Sequence, residues 1–235
     1  MTRLGVIGDI HGNPPALNAA LAEFDRRGVS GIIALGDIIG IGPFGEECAQ
    51  ILLGRNDIIV SVRGNHERYF INGLEPDRMN AREMSFHNWE HARLSDASKR
   101  YLRSLPVETS TDVEGVSIYS THYPLDGHGP ELEHASARKA MKHADICLYA
   151  HDHSRSITRE GGVLYADFGA LGCPGAEKDV AHAGMIDIDG KAVSYECLDI
   201  KYDISPFIRE WDILDPPART TVQRIFFGIE PYDHL

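Results

Sequence analysis

Aspartates, histidines and one asparagine stand wherever a strand-like stretch of this chain ends. They are Asp9 and His11 in Gly8-Asp9-Ile10-His11-Gly12-Asn13, Asp37 in Gly36-Asp37-Ile38-Ile39-Gly40, and Asn65 and His66 in Gly64-Asn65-His66-Glu67. After these come a lone His122 and the pair His151 and His153 in Ala150-His151-Asp152-His153. Oxygen and imidazole groups gathered from across a chain can hold two divalent ions close together, and such a pair can clamp and split a phosphate ester. Two divalent ions set against Asp9, Asp37 and a bridging hydroxide leave a centre of about +1 net charge, which would attract phosphate.

The elements that must position these groups are legible in the hydrophobic pattern. Residues 2 to 8 read as a buried strand. Asn13 can cap a helix that starts at Pro14-Pro15, buries Ala16, Leu17, Ala20, Leu21 and Phe24, and stops at Gly28. Gly31 to Leu35 and Ile58 to Val62 read as further strands with a short helix, Glu46 to Leu53, between them, so a parallel sheet is expected. Residues of about 76 to 105 are helical in pattern, with Ser95 as a cap and Pro106 as a stop, and are expected to lie over one edge of the site. Strand Val116 to Thr121 ends at His122, a helix is expected from Pro130 to about His143, and strand Ile146 to Ala150 ends at His151. Ser156 to Arg159, Val163 to Phe168, Gly184 to Ile188 and Ala192 to Leu198 read as an antiparallel meander forming a second sheet. The tail, about 205 to 235, suggests two short helices separated by Pro216-Pro217. One domain over residues 1 to 235 is the simplest organisation.

Composition narrows the function classes. The 235 residues are 43% hydrophobic and 25% charged, as in an ordinary globular protein. A formal charge of -12 argues against a general nucleic-acid surface, because affinity for a phosphate backbone comes mostly from clustered Lys and Arg. The N-terminus runs straight into a strand, and no apolar run approaches the ~18 residues of a membrane span, so a cytoplasmic protein without a membrane partner is expected. Cys48, Cys147, Cys173 and Cys197 are widely spaced and read as buried, reduced and structurally passive.

Asp-x-His, Gly-Asp-x-x-Gly, Gly-Asn-His-Glu, a lone His and a final His-x-His, in that order over residues 9 to 153, resemble the calcineurin-like metallophosphoesterase superfamily, nearest its small bacterial and archaeal phosphodiesterase-like branch. The resemblance implies a four-layer α/β/β/α sandwich of two mixed sheets flanked by helices. It implies that Asp9, His11 and His153 hold one ion, that Asn65, His122 and His151 hold a second, and that Asp37 bridges them about 3.5 to 4 Å apart. With no thiolate in that set, Mn, Fe, Co, Ni and Zn all suit it. It further implies in-line attack by metal-bound hydroxide, with His66 contacting the phosphate or protonating the leaving oxygen. Arg63 and Tyr123 are candidate substrate contacts, and Arg155 and His182 are more remote ones.

The chain departs from that pattern in places. Its last motif opens on Ala150 instead of glycine, Tyr123-Pro124 follows His122, and Asp167-Phe168-Gly169-Ala170 stands where the branch carries an Asn-Pro-Gly-Ser-like loop. The expected activity is hydrolysis of a small phosphate ester, with a diester ranked first. A protein phosphatase-like monoesterase, a dinucleoside polyphosphate hydrolase and a non-catalytic scaffold of the same fold are the alternatives, although Ile38-Ile39-Gly40 replaces the Asp-Arg-Gly continuation of the protein phosphatases. His87-Asn88-Trp89-Glu90-His91 fits the H-x-x-E-H pattern of inverted zinc proteases, but with Phe86 and Trp89 beside it the segment reads as a partly buried amphipathic helix. Oligomeric state cannot be read from the sequence.

Overall fold

The computed structural model describes residues 1–123, 138, 140–175 and 177–229. Two five-stranded mixed sheets lie face to face. The first has the order β10-β9-β1-β2-β3, built from β1 (Thr2–Ile7), β2 (Gly31–Ala34), β3 (Ile58–Ser61), β9 (Val180–Asp189) and β10 (Ala192–Lys201). The second has the order β4-β5-β6-β8-β7, from β4 (Glu108–Val113), β5 (Val116–Thr121), β6 (Ile146–Leu148), β7 (Ser156–Glu160) and β8 (Val163–Asp167). β1, β2 and β3 are parallel to one another, as are β5, β6 and β8, while the hairpin strands run antiparallel.

The period-two pattern of the central strands sends alternate residues to two different cores. Leu4, Val6, Ile33, Leu35, Val60 and Val62 meet Ile118, Ile146, Leu148 and Leu164 of the other sheet. Ile7, Ile32 and Ala34 point the opposite way, onto the helices α1 (Pro14–Arg27), α2 (Gly45–Leu53) and α5 (Asp96–Ser104). Each of these aliphatic side chains, once buried, contributes about 1.5 to 3 kcal/mol. On the outer face of the second sheet, Tyr119, Cys147 and Val163 pack with Met141 and Ala144.

The expected caps are in place. Asn13 accepts the Ala16 N–H at 3.2 Å, Gly28 ends α1 at φ 68°, and Ser95 accepts the Ser98 N–H at 3.2 Å. The helical middle third is α4 (Ala81–Arg93) and α5. The tail is α6 (Ser205–Leu214) and α7 (Arg219–Phe227), whose Phe207, Trp211 and Phe227 form a small aromatic core with Ile41 and Cys173. Most of the helix expected from Pro130 to His143 lies outside the described residues, as does the end of the tail. Among the described residues no helix is long and apolar enough to cross a membrane.

One expectation is corrected. The meander does not form a sheet of its own: β7 and β8 extend the second sheet, whereas β9 and β10 join the first beside β1. A hairpin's sequence specifies its turn and partner but not the edge on which the pair docks. Asn65 and His66 open a short helix, α3 (Asn65–Asn72). Cys48, Cys147 and Cys173 are buried and Cys197 is half-buried, and all four thiols are free.

Candidate active site

The ends of five strands converge. The loops after β1 and β2 run side by side beyond the sheet, with the His11 N–H donating to the Asp37 carbonyl at 2.7 Å and the Gly12 N–H to that of Ile38 at 3.0 Å. The loops after β5 and β6 are joined in the same way, Ala150 N–H to His122 carbonyl at 2.7 Å. Asp9, His11, Asp37, Asn65, His122, His151 and His153 thereby reach one spot.

The donor atoms are close. Asp37 Oδ2 lies 3.2 Å from His122 Nε2 and 3.8 Å from His11 Nε2. Asn65 Oδ1 lies 3.1 Å from His122 Nε2 and 2.9 Å from His151 Nδ1. His11 Nε2 and His153 Nε2 are 2.9 Å apart, and each is 3.9 Å from Asp9 Oδ1. Asp37 is the shared member of two groupings, one with His11 and His66, the other with His122 and His151, whose donor atoms all fall within 4.8 Å of one another.

This set suits divalent cations, and the electrostatics say why. His122 Nδ1 donates to the Leu35 carbonyl at 2.7 Å, which fixes the tautomer and aims the unshared pair of Nε2 at the centre. Burial would lower the His122 pKa, but the charge and hydrogen bond of Asp37 overcome it and raise it to about 10. Burial would raise the Asp37 carboxyl, yet His122 and His66 hold it well below the usual carboxylate range. A buried centre that pulls this strongly on a proton is short of positive charge, and its oxygen and imidazole donors match Mn, Fe, Co, Ni or Zn.

The backbone is strained here. Asp9, His11, Asp37, His151 and His153 all adopt positive φ, between 46° and 92°, in the left-handed region that side chains other than glycine and asparagine rarely occupy. Strain of this kind costs of order 1–3 kcal/mol per residue and persists only where surrounding structure imposes it. Ala150 is not among the strained residues. Its methyl group instead needs the bare Gly8 opposite, where an added Cβ would come within 2.8 Å. The shape of the last motif therefore tolerates alanine.

His66 sits beside these residues, its Nε2 3.9 Å from Asp37 Oδ2 and its ring 5.1 Å from that of His87. Gly40 lies under the imidazole, and a Cβ there would meet His66 Nδ1 at 1.9 Å, so only glycine leaves room for the ring. Burial pushes the His66 imidazole below its ordinary range, against the pull of Asp37.

Two carboxylates that hold this arrangement fall outside the set of site residues expected from the sequence. Glu67 is fully buried and accepts the N–H groups of Asp37, Ile38, Ile39 and Gly64 at 2.7 to 3.2 Å. Its place three residues after Gly64, at a helix N-terminus, is the one signal the sequence offers. Glu90 of α4 accepts the Gly40 N–H at 2.9 Å, so the H-x-x-E-H segment braces the Asp37 loop, and its carboxylate is not exposed as a protease base would be. His87 and His91 are held neutral by burial, which lowers them to about 3 and about 4.

Burial raises the Glu90 carboxyl to about 8 from an ordinary 4.5. The folded protein thus keeps a proton that the unfolded chain loses, and the metal-free fold should lose stability, on the order of a few kcal/mol, as pH rises through that window. Glu90→Gln keeps an acceptor for Gly40 without the proton. Its melting temperature from pH 5 to 8 should fall less than that of the parent, and parallel curves would contradict this.

Of the remaining candidates, Arg63 and Tyr123 line a cavity beside Asn65 and His151, and Tyr123 packs 4.8 Å from the His151 ring. Arg155 and His182 do not join them, because both turn to Asp199, at 2.7 and 2.8 Å. Buried Asp167 accepts the Gly169 N–H at 2.8 Å, and burial raises its carboxyl well above the usual range. Cys173 is closer to the centre than expected of a passive thiol, with Sγ 3.4 Å from His153 Nδ1.

The model of the calcineurin-like phosphoesterase superfamily domain matches residues 2–191. The chain belongs to this superfamily. As a member of the calcineurin-like phosphoesterases it is a phosphoric ester hydrolase. An uncharacterized protein of Methanocaldococcus jannaschii, MJ0912, is 27% identical over 86% of this chain and 88% of its own length. Phosphodiesterase YfcE of Escherichia coli is 24% identical over 80% of this chain and 89% of its own. Among solved structures, a metallophosphoesterase from Sphaerobacter thermophilus superposes with a TM-score of 0.73 at 24% identity, covering 97% of this chain and 99% of that one. The hypothetical protein PH1004 from Pyrococcus horikoshii superposes at 0.77 with 19% identity, covering 98% and 100%. These two share the fold of this phosphoesterase.

Proposed function

We propose that this phosphoesterase hydrolyses phosphodiesters with two divalent ions, one held by Asp9, His11 and His153, the other by Asn65, His122 and His151, with Asp37 between them. The observation that carries the diester reading is that the ligand cluster lies between two cavities. One, of about 890 Å³, extends from Asp37 and His66 between α4 and α7, with Phe86, Val222, Ile225 and Phe226 in its walls. The other, of about 430 Å³, opens past Arg63 and Tyr123. Asn65 and His151 border both. A diester has a substituent for each side and a monoester fills only one. The name of YfcE, a phosphodiesterase, supports the same choice.

Bound divalent ions supply Lewis-acid withdrawal of charge from phosphate oxygens and a lowered pKa for water. The protein residues do the rest. Asp37 and Asp9 fix the centre, and Asn65 contributes a neutral oxygen that adds no charge to repel the substrate. His66, wedged between Gly40 and His87, brings an N–H to the departing alkoxide and, when it is imidazolium, can pass it a proton and be left as neutral imidazole. Phe86 and Phe226 form apolar walls for the alcohol portion.

With Mn present, bis(p-nitrophenyl) phosphate should be turned over at least about tenfold faster, in kcat/KM, than p-nitrophenyl phosphate, and faster than a dinucleoside polyphosphate. Preference for the monoester would reverse the substrate class. Absence of turnover with any divalent metal, in protein shown to bind ions, would favour the scaffold alternative.

A further inference from the structure

We propose that the smaller cavity is a subsite for a second anionic group, a phosphate borne by the substrate on the side away from the apolar cavity. This rests on the phosphodiesterase reading and adds to it a substrate of two unlike halves.

The two cavities differ in chemistry. Three arginines, Arg63, Arg68 and Arg78, line the smaller one, in a chain whose formal charge is -12. Two acidic residues share its lining. Glu108 is already engaged, accepting from Tyr119 Oη and ion-paired with Lys142. Glu75 is divided between two partners, 3.4 Å from Arg68 and 3.3 Å from Arg78, separations too long for strong ion-pair hydrogen bonds. Arg63 has no side-chain hydrogen bond or ion pair among the described residues, although its backbone is held in place. Its N–H donates to the Pro106 carbonyl at 2.9 Å. Arg68 Nε is buried without a hydrogen-bond partner among the described residues, a state that costs of order 1–3 kcal/mol unless something accepts from it.

Planar guanidinium groups left under-paired around a concave wall match the several charged oxygens of phosphate better than the single oxygen of a neutral alcohol. The cavity has Asn65, His122 and His151 at its inner end, so a group bound there would be covalently near the scissile phosphate. Tyr69 and Tyr123, also in its lining, can flank the intervening linker. The larger cavity, walled by Phe86 and Phe226, would then take the uncharged substituent.

The test uses matched pairs on the metal-loaded protein. Thymidine 5′-(p-nitrophenyl phosphate) is compared with the same ester carrying a 3′-phosphate, and calorimetry compares binding of thymidine 5′-phosphate with thymidine 3′,5′-bisphosphate. The additional phosphate should raise kcat/KM and tighten binding by about ten- to a hundredfold, the range of one or two charge-assisted hydrogen bonds. In Arg63→Gln combined with Arg68→Gln that ratio should fall to near one, and Arg68→Lys should restore part of it. Arg63→Gln alone, which breaks no ion pair among the described residues, should lower the ratio without affecting folding. Equal values for both members of each pair in the parent, or a preference that survives both substitutions, would overturn the proposal. Stimulation of bis(p-nitrophenyl) phosphate turnover by inorganic phosphate, lost in the same variants, would assign the cavity to a free anion and so also overturn it. Failure of the underlying reading is distinct, since it would appear as no diester turnover by the parent with any metal.

Discussion

Asp37→Asn protein, reloaded with Mn and freed of excess, is expected to hold at most one ion per chain where the parent holds two. Its phosphodiester turnover should fall at least about a thousandfold, because several kcal/mol of charge stabilisation by the ions is lost. The substitution is nearly isosteric. The introduced amide oxygen could still accept the His66 N–H that Asp37 Oδ1 now receives at 3.0 Å, and Glu67 would still hold the loop through its N–H groups. What disappears is the charge of a carboxylate whose Oδ2 lies 3.8 Å from His11 Nε2 in one half of the ligand cluster and 3.2 Å from His122 Nε2 in the other. Metal analysis together with circular dichroism separates this from unfolding. Full metal content in the folded variant would remove Asp37 from the bridging position.

His66→Ala should have the opposite pattern. Metal content should match that of the parent, while kcat for a diester with an ordinary alkyl leaving group falls by on the order of 10² to 10⁴, the usual contribution of a positioned proton donor. The loss should shrink for esters whose leaving alcohol is more acidic, since a better leaving group needs less help. An equal loss for p-nitrophenoxide and for an alkoxide leaving group would instead mean that the imidazole stabilises the phosphate without protonating the leaving oxygen. Burial lowers the His66 imidazole, and only its protonated form can give up a proton, so the alkaline limb of the pH profile should lie below the ordinary histidine range. Charge added by bound ions lowers that limb further.

The ligand cluster was legible in the sequence because each member is a chemically distinctive side chain fixed just past a strand, and the strands are marked by continuous runs of Ile, Val and Leu. What supports the cluster was not legible. Glu67 and Glu90 act on backbone N–H groups 3 to 50 positions away, and no local pattern records which amide a carboxylate will reach. Helix α3 is short and opens with Asn-His, so neither its periodicity nor its propensity distinguishes it from a loop. The tail shows its apolar stripe but not its destination. That Phe226 comes within 6.4 Å of His153 depends on how Phe207, Trp211 and Phe227 pack below it. Likewise, the two hairpins of the meander are marked by Gly161-Gly162 and Asp189-Gly190, and their assignment to different sheets follows from long-range pairing alone.

The walls of the larger cavity are unequal in how freely they can change. Helix α4 contributes Phe86 and His87 to the cavity and, through Glu90, also holds Gly40, so a substitution that shifts α4 is transmitted to the loop carrying Asp37. Helix α7 contributes Thr221, Val222, Ile225 and Phe226, and Ile225 is 60% exposed. Its buried anchors are Gln223, which donates to Asp212 of α6, and Phe227 in the aromatic core, against which Val222 and Phe226 also pack. A lineage of such enzymes, or a designer, can therefore exchange the acceptable alcohol by mutating Thr221 or Ile225 of α7, which lie outside that core, with little penalty in catalytic competence, whereas α4 is constrained to evolve together with the centre it braces.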